Sequence, residues 1–467
     1  MKILLVTYWG LTNMGGIWTY MRQLADKLGG QGHTVTLMGS HVDSNTLYLL
    51  DRNVFFDKKA YYSALLPYLD PLQFPHLHQE HGIFSFELGR YVFEGGAAAL
   101  GLEDYDVIHA QDPISAYALR RIMKRPVPLV ASVHGALARE SYYEYRGLEP
   151  GLTLQEYESR PIWSYFRRME QLGAQAADLI LVSSKWIGQV VGGHGVAADR
   201  VHIQPYGVNL REYREKAAVA APLNPVPGKK TIMYAGRLEY IKGVHVLISA
   251  LGLLKQRRGD WTCVIAGSGS LLEELRVQAK ECGVQDDVVF SGKIDNIPSA
   301  LTAADIYVQP SLQDTQPFSV TEAQLAGIAP VVAGTTGMPE MVRHGETGWI
   351  VPAEDAAALA DRLELLLRDD ALRARTGSAA RKWATQNRSL DVMTEGTLRV
   401  YRRAAGMRSW PLPGLPPGAG PAGDGGAMPG AFHPADLLKV ISPGNPLEPV
   451  LRSALPADYL VPDAGIL

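Results

Sequence analysis

Residues 310–351 read PSLQDTQPFSVTEAQLAGIAPVVAGTTGMPEMVRHGETGWIV. An apolar run, Ile306-Tyr307-Val308, leads into this segment, and a second, Pro330-Val331-Val332, lies inside it. Between them Ser319–Leu325 has a helical pattern, so the order is strand, loop, helix, strand. Thr315-Gln316-Pro317-Phe318 is the turn into the helix, with Thr315 as its expected cap. The N–H groups of the first turn and the helix dipole favour an anion at this end. Asp314 and Glu322 flank the turn, eight residues apart. A carboxylate such as Glu322, about one turn into a helix, suits the paired hydroxyls of a sugar and repels phosphate. Asp314 is placed to take another sugar. The plainer alternative is a helix cap and a surface glutamate.

The same alternation extends in both directions. Upstream lie Thr231-Ile232-Met233-Tyr234, Cys263-Val264-Ile265-Ala266 and Val288-Val289-Phe290, with helical patterns between them. A separate series opens the chain: Ile3–Val6, Val35–Met38, Val107-Ile108-His109, Leu129–Ala131 and Leu179–Val182. In the first helix Ile17, Tyr20, Met21, Leu24 and Leu28 recur at helical spacing, ended by Gly29-Gly30. Two α/β domains with parallel sheets follow. The expected boundaries are a first domain at 1–210, a linker at 211–230 around a Pro/Ala-rich stretch, and a second domain at 231–385. Helices at 386–406 follow. Residues 411–429 hold six prolines and six glycines, which cannot build a packed core. The expectation for 407–467 is a disordered, low-complexity tail whose Leu/Val segment, 437–460, is a candidate docking peptide for a protein partner.

The chain has 467 residues and a formal net charge of -3, which argues against sequence-independent nucleic-acid binding. No apolar run approaches the ~18–20 residues of a membrane span. The N-terminal run is short, has no small-residue cleavage site, and fits a buried strand better than a signal peptide. Two cysteines, Cys263 and Cys282, are neither a disulfide framework nor a metal site, and point to a reducing cytoplasm. Asp104-Tyr105-Asp106 is a D-x-D triplet, but it precedes a strand, and no metal site is expected there.

In paired α/β domains ligands bind beyond the carboxyl ends of the strands. After the first strand come Gly15 and Gly16 and a helix, which allow close backbone approach to a phosphate or make only a turn. After Tyr234-Ala235 come Arg237 and Lys242, a cationic pair able to clamp a diphosphate or to stand solvated. Gly267-Ser268-Gly269 lacks the third glycine of a dinucleotide fingerprint and reads as a tight turn.

Taken together, these pieces resemble the retaining glycosyltransferases of family 4, which have the two-domain GT-B fold. That family carries E-x7-E, then A-x-A-x-G-x-PVV, then GG-x-PE-x-V-x-x-G-x-TG. Here stand Asp314 and Glu322, Ala323, Ala326, Gly327, Pro330-Val331-Val332, Gly337-Met338-Pro339-Glu340, Val342, Gly345, Thr347 and Gly348. Further matches are MKILLVTYW…GG, Gly32-His33, Asp106–His109, Val133-His134-Gly135, Pro205–Val208, and GRL…KG at 236–243. They span about residues 1–400 in the family's order. The string SLQDTQPFSVTEAQLAG and the opening MKILLVTYW also resemble a spore-coat-associated branch in endospore-forming bacteria. Two departures stand out. Asp314 is one methylene shorter than the usual glutamate. Gln316-Pro317 replaces the common aromatic-glycine pair, and Pro317 offers no N–H.

The resemblance implies an α/β GT-B fold, two Rossmann-like domains facing a cleft, with the 386–406 helices crossing back to the first. It implies transfer of a sugar from a nucleotide-diphosphate donor to a hydroxyl of a glycan or small-molecule acceptor, with retention. UDP-sugars are favoured and GDP-sugars remain open. Gly15 and Gly16 approach the diphosphate through their backbone, and Arg237 and Lys242 bind it. The loop Asp314, Thr315, Gln316, Pro317, Phe318 and Ser319 cradles the leaving phosphate and the donor sugar, and Glu322 holds the ribose. Donor base recognition falls near Gly292–Ile294, largely through backbone. His134 sits at the reaction centre with Arg237, Lys242 and Asp314, and His109 lines the acceptor side. A plainer reading leaves both histidines as half-buried strand ends. No cofactor and no metal are expected, and membrane contact, if any, is peripheral. Two alternatives remain: a synthase acting on a free sugar or sugar phosphate, and a silent glycosyltransferase-like scaffold that docks a partner through its tail.

Overall fold

In the computed structural model, residues 1–11, 15–41, 45–223, 226–407 and 428–466 are described. The first sheet has eight strands: β1 (Lys2–Gly10), β2 (Thr34–Ser40), β3 (Thr46–Leu49), β4 (Val54–Asp57), β5 (Val107–Ala110), β6 (Leu129–Val133), β7 (Leu179–Val182) and β8 (Val201–Ile203). Their spatial order is β4-β3-β2-β1-β5-β6-β7-β8. All neighbours pair parallel except β2 with β3 and β3 with β4. The second sheet has six strands: β9 (Lys230–Ala235), β10 (Trp261–Ala266), β11 (Val288–Gly292), β12 (Ile306–Gln309), β13 (Ala329–Ala333) and β14 (Trp349–Val351). It is fully parallel, in the order β11-β10-β9-β12-β13-β14.

The central strands β1, β5, β6 and β7 of the first sheet and β9, β10, β12 and β13 of the second are largely buried because helices cover both faces. Ile3, Leu4, Leu5 and Val6 of β1 have no exposed surface and serve two separate cores. In each sheet the winding reverses beside the first strand, between β1 and β5 and between β9 and β12. Such switch points open a crevice at the carboxyl ends of the strands. The helix Leu390–Gly406 crosses back to the first domain. Its Met393, Leu398, Val400 and Tyr401 share a core with Ile3, Leu5, Met21 and Leu24.

Two features depart from the expectations drawn above. The region read as a linker starts with a helix, Leu210–Ala217, whose Asn209 cap accepts from the N–H of Glu212. Tyr213 on this helix donates to the carbonyl of Glu322 at 2.9 Å. The larger correction concerns the tail. Residues 428–466 are not a disordered appendage: the helices Pro434–Ile441 and Leu447–Ala454 pack on the first domain. Leu438, Leu451, Leu455, Tyr459 and Val461 join its core. Phe432 and Val461 exchange backbone hydrogen bonds at 2.9 and 3.0 Å. Most of the Pro/Gly-rich stretch, residues 408–427, lies outside the described residues. No helix among the described residues is long and apolar enough to cross a membrane.

Candidate functional site

The loop after β9 is held from below. Tyr234 Oη donates to the carbonyl of Arg237 at 2.7 Å. Gly267 and Gly269, after β10, pack on the same loop: a Cβ at Gly267 would lie 1.8 Å from the carbonyl oxygen of Gly236, and one at Gly269 2.4 Å from that of Leu238. The glycine pair is therefore the tight turn expected. Arg237 itself is exposed at the strand end. Lys242 follows at the end of the turn Tyr240–Lys242, and its Nζ meets Asp314 Oδ2 at 2.6 Å. The two come from the ends of adjacent strands, β9 and β12.

The loop 310–318 carries contacts across the two domains. Thr315 does not cap the helix Phe318–Ala326; Pro317 occupies the cap position and no side chain caps it. Thr315 instead donates through Oγ1 to the carbonyl of His134 at 2.7 Å. The side-chain amide of Gln316 takes both backbone groups of Tyr206, accepting from its N–H at 2.8 Å and donating to its carbonyl at 3.0 Å. Phe318 stacks on the Tyr206 ring, centroids 5.5 Å apart and planes 18° apart. The side chains of Thr315, Gln316 and Phe318 thus tie the domains together, and the start of the helix is left without a side-chain cap. Ser319 Oγ donates to Gln309 Oε1 at 3.3 Å. Glu322 is half-buried, and burial pushes its carboxyl up to about 7, with Lys216 pulling the other way.

Opposite stands His134, just beyond β6. Its Nε2 pairs with Gln111 Oε1 at 3.1 Å, its Nδ1 with the Tyr206 hydroxyl, and the ring of Tyr20 meets it edge-on at 5.1 Å. Burial lowers its pKa to about 4, so the imidazole is neutral. His109 is different. It is fully buried, and both ring nitrogens are taken, Nδ1 by Tyr401 Oη at 2.6 Å and Nε2 by Ser132 Oγ at 2.8 Å. Burial, reinforced by His134, lowers its pKa to about 3. His109 does not line an acceptor surface, because its strand turns it toward the returning helix Leu390–Gly406. Gly15 and Gly16 begin the helix Gly16–Gly30, and a Cβ at either would meet nothing within 4 Å. Gly15 has φ 109, a backbone state that favours glycine. Ile294, past β11, is half-buried against the small apolar core that includes Ala300 and Met338. Asp106 of the D-x-D triplet accepts from the backbone N–H of Lys2 at 2.7 Å, at the start of β5 rather than its carboxyl end.

Three further residues make contacts that the sequence reading gave them no role in. Glu140, one turn into the helix Leu137–Leu148, lies over Gly135, where a Cβ would be 1.8 Å from its Oε1. Burial raises its carboxyl to about 7, against the pull of Lys242 and Arg237. Gln313 donates to the carbonyl of Ala136 at 3.2 Å. Glu340 caps a helix of the other domain, accepting from Lys185 N–H at 2.8 Å and Trp186 N–H at 2.9 Å. A glutamate one turn past His134-Gly135 was the available signal for Glu140. Gln313 and Glu340 make their contacts only across domains.

Residues 14–212 match the family described as Glycosyltransferase Family 4, and residues 216–383 match Glycosyl transferases group 1. The phosphatidyl-myo-inositol mannosyltransferase of Mycobacterium leprae is 31% identical over 312 residues, 65% of this chain and 74% of that protein. A GDP-mannose-dependent alpha-(1-6)-phosphatidylinositol monomannoside mannosyltransferase of Mycobacterium tuberculosis is 31% identical over 46% of this chain, and the match spans only 59% of that protein's length. Among solved structures, Anabaena HepE in complex with UDP and glucose superposes with a TM-score of 0.59 at 19% identity, covering 86% of this chain and 100% of HepE. That likeness is one of fold.

Proposed function

The chain belongs to the glycosyltransferases that join a family-4 domain to a group-1 domain, and we propose that it moves a sugar from a nucleotide-diphosphate donor to an acceptor hydroxyl with retention at the anomeric carbon. The observation that carries this reading is the Lys242–Asp314 pair, with Arg237 on the same loop, at the mouth of the uncapped helix Phe318–Ala326. The chemical difficulty is charge: it grows positive on the anomeric carbon and negative on the departing diphosphate. Lys242, Arg237 and the helix start would stabilise the leaving group without a metal. Lys242 would pass from Asp314 to phosphate, freeing Asp314 for the donor sugar. Glu322 would bind the ribose hydroxyls, and neutral His134, held by Gln111, would face the sugar. We favour front-face attack, with the leaving phosphate as base.

We favour a UDP-sugar; the GDP-mannose named for one relative makes a GDP-sugar the second choice. The acceptor is a glycan or small molecule, in surface or spore-coat polysaccharide synthesis in the cytoplasm. A silent scaffold is less attractive, since residues 428–466 pack on the chain's own first domain.

A metal-free thermal-shift screen against UDP, GDP, ADP and their sugars tests this. A ligand that binds only the folded state raises the melting temperature. One base should give a shift that Arg237→Ala and Glu322→Ala abolish, and the product anomer should match the donor. A well-folded protein that responds to none of them would sink the reading.

A further inference from the structure

We propose that Thr336 is a positioning residue for the donor sugar: its hydroxyl grips the backbone of Asp314 and so fixes where that carboxylate stands. The inference rests on the donor site proposed above. Thr336 lies in the turn between β13 and the short helix Met338–Met341. Its φ is 55, in the left-handed region. A β-branched side chain crowds its own backbone there, so the conformation is costly and persists only where surrounding contacts hold it. Glycine meets the same backbone without that crowding.

The contact that holds Thr336 is with Asp314. The N–H of Asp314 donates to Thr336 Oγ1 at 3.0 Å, and Thr336 Oγ1 donates to the carbonyl of Asp314. One hydroxyl thus closes on both backbone groups of one residue. The N–H of Gly337 donates to the same carbonyl at 3.1 Å, and Thr335 Oγ1 donates to the carbonyl of Leu312 at 3.2 Å. A Cβ at Gly337 would lie 2.2 Å from the carbonyl oxygen of Thr315, so this turn presses directly on the loop. All these partners belong to the second domain. Thr315 and Gln316, by contrast, reach His134 and Tyr206 of the first. The seat of Asp314 beside Lys242 therefore does not depend on the first domain.

The carboxylate itself has one partner among the described residues, Lys242 Nζ at 2.6 Å. Aspartate is short, so its oxygens cannot make up for a displaced backbone, and the position of its own peptide groups decides its reach. When Lys242 turns to the diphosphate, the Thr336 bridge is what leaves Asp314 aimed at the sugar. Local strain at Thr336 is the cost of holding that carboxylate in place.

Titration calorimetry of the full chain with UDP, UDP-glucose, GDP and GDP-mannose tests this. The readout is the affinity for a sugar nucleotide relative to its bare nucleotide. Thr336→Gly, which suits a left-handed backbone, should lower that ratio about tenfold and leave the bare nucleotide within about twofold of the parent, with a melting curve that verifies folding. Thr336→Val, which keeps the branched shape without the hydroxyl, should show the same loss. Thr336→Ser, which keeps the hydroxyl, should match the parent. Asp314→Asn should also lower the ratio, and adding Thr336→Gly to it should lower it no further, because Thr336 acts through Asp314. A parent-like ratio in Thr336→Gly, a loss in Thr336→Ser, or additive losses in the double variant overturns the proposal and leaves the donor site standing. If the parent binds none of these nucleotides, the donor site itself is refuted, and this proposal with it.

Discussion

Glu322 combines two demands that oppose each other. Its place one turn into Phe318–Ala326 suits sugar hydroxyls, yet burial makes ionisation costly and lifts its carboxyl to about 7. The folded state therefore holds a proton that the unfolded chain releases near pH 4.5, and stability from this group falls as pH rises from there to 7. Glu322→Gln should melt about 2–4 °C above the parent near pH 8 for each kcal/mol relieved, and with it near pH 5. The same variant should bind the donor nucleotide at least about tenfold more weakly, having lost a charge-assisted acceptor. Calorimetric melts at both pH values and a nucleotide titration check the two halves. Gly267 is constrained by shape. A methyl group there would press 1.8 Å from the carbonyl oxygen of Gly236 and push the Arg237 loop outward. Gly267→Ala should lower the melting temperature and reduce nucleotide affinity together.

At the level of elements, the strand-end loops join the two domains. Gln316 satisfies both backbone groups of Tyr206, and Phe318 stacks on its ring. Glu340 accepts from the first two N–H groups of Lys185–Gly192, while that helix's own Ser184 accepts from the N–H of Ile187. The contacts of Gln316, Phe318 and Glu340 exist only with the domains together. Glu340→Ala should therefore leave nucleotide affinity nearly unchanged, since Arg237, Lys242 and Glu322 belong to the second domain, while turnover falls about tenfold through loss of closed-state contacts. Steady-state rates beside direct nucleotide binding separate the two effects.

For the whole molecule, the carboxyl-terminal segment acts as part of the first domain's interior. Arg90 is fully buried and meets Glu87 and Glu94 at 2.5 Å and Asp463 at 3.1 Å. Arg121 meets Asp463 at 2.8 Å, and Tyr117 donates to the same carboxylate at 2.8 Å. Against the cost of burial, Arg121 and Arg90 hold the Asp463 carboxyl below its ordinary range. Removing that carboxylate strands buried guanidinium charge, which costs about 3–5 kcal/mol. Asp463→Ala should thus unfold at markedly lower denaturant concentration, and deletion of 428–467 should leave the first domain poorly soluble. An equal denaturation midpoint in Asp463→Ala and parent would show that the network contributes nothing to stability.

The sequence by itself determined the two parallel-sheet domains, because a strand buried on both faces must be apolar throughout and the helices between must repeat at helical spacing. It also placed Arg237, Lys242, Asp314, His134 and Glu322 at strand ends and a helix start, since local order along the chain decides which residues follow a strand. Composition misled for 428–466, where proline and glycine upstream masked a segment whose apolar residues complete another domain's core. What only the tertiary structure decided depends on partners distant in sequence. His109 became a core residue because Tyr401, 292 positions away, closes over it. Thr315 and Gln316 turned from the helix and donor toward His134 and Tyr206. Glu140 acquired its electrostatic setting from cations about a hundred residues on. Such pairings follow from how two domains pack, and local pattern along a chain carries no record of that distance.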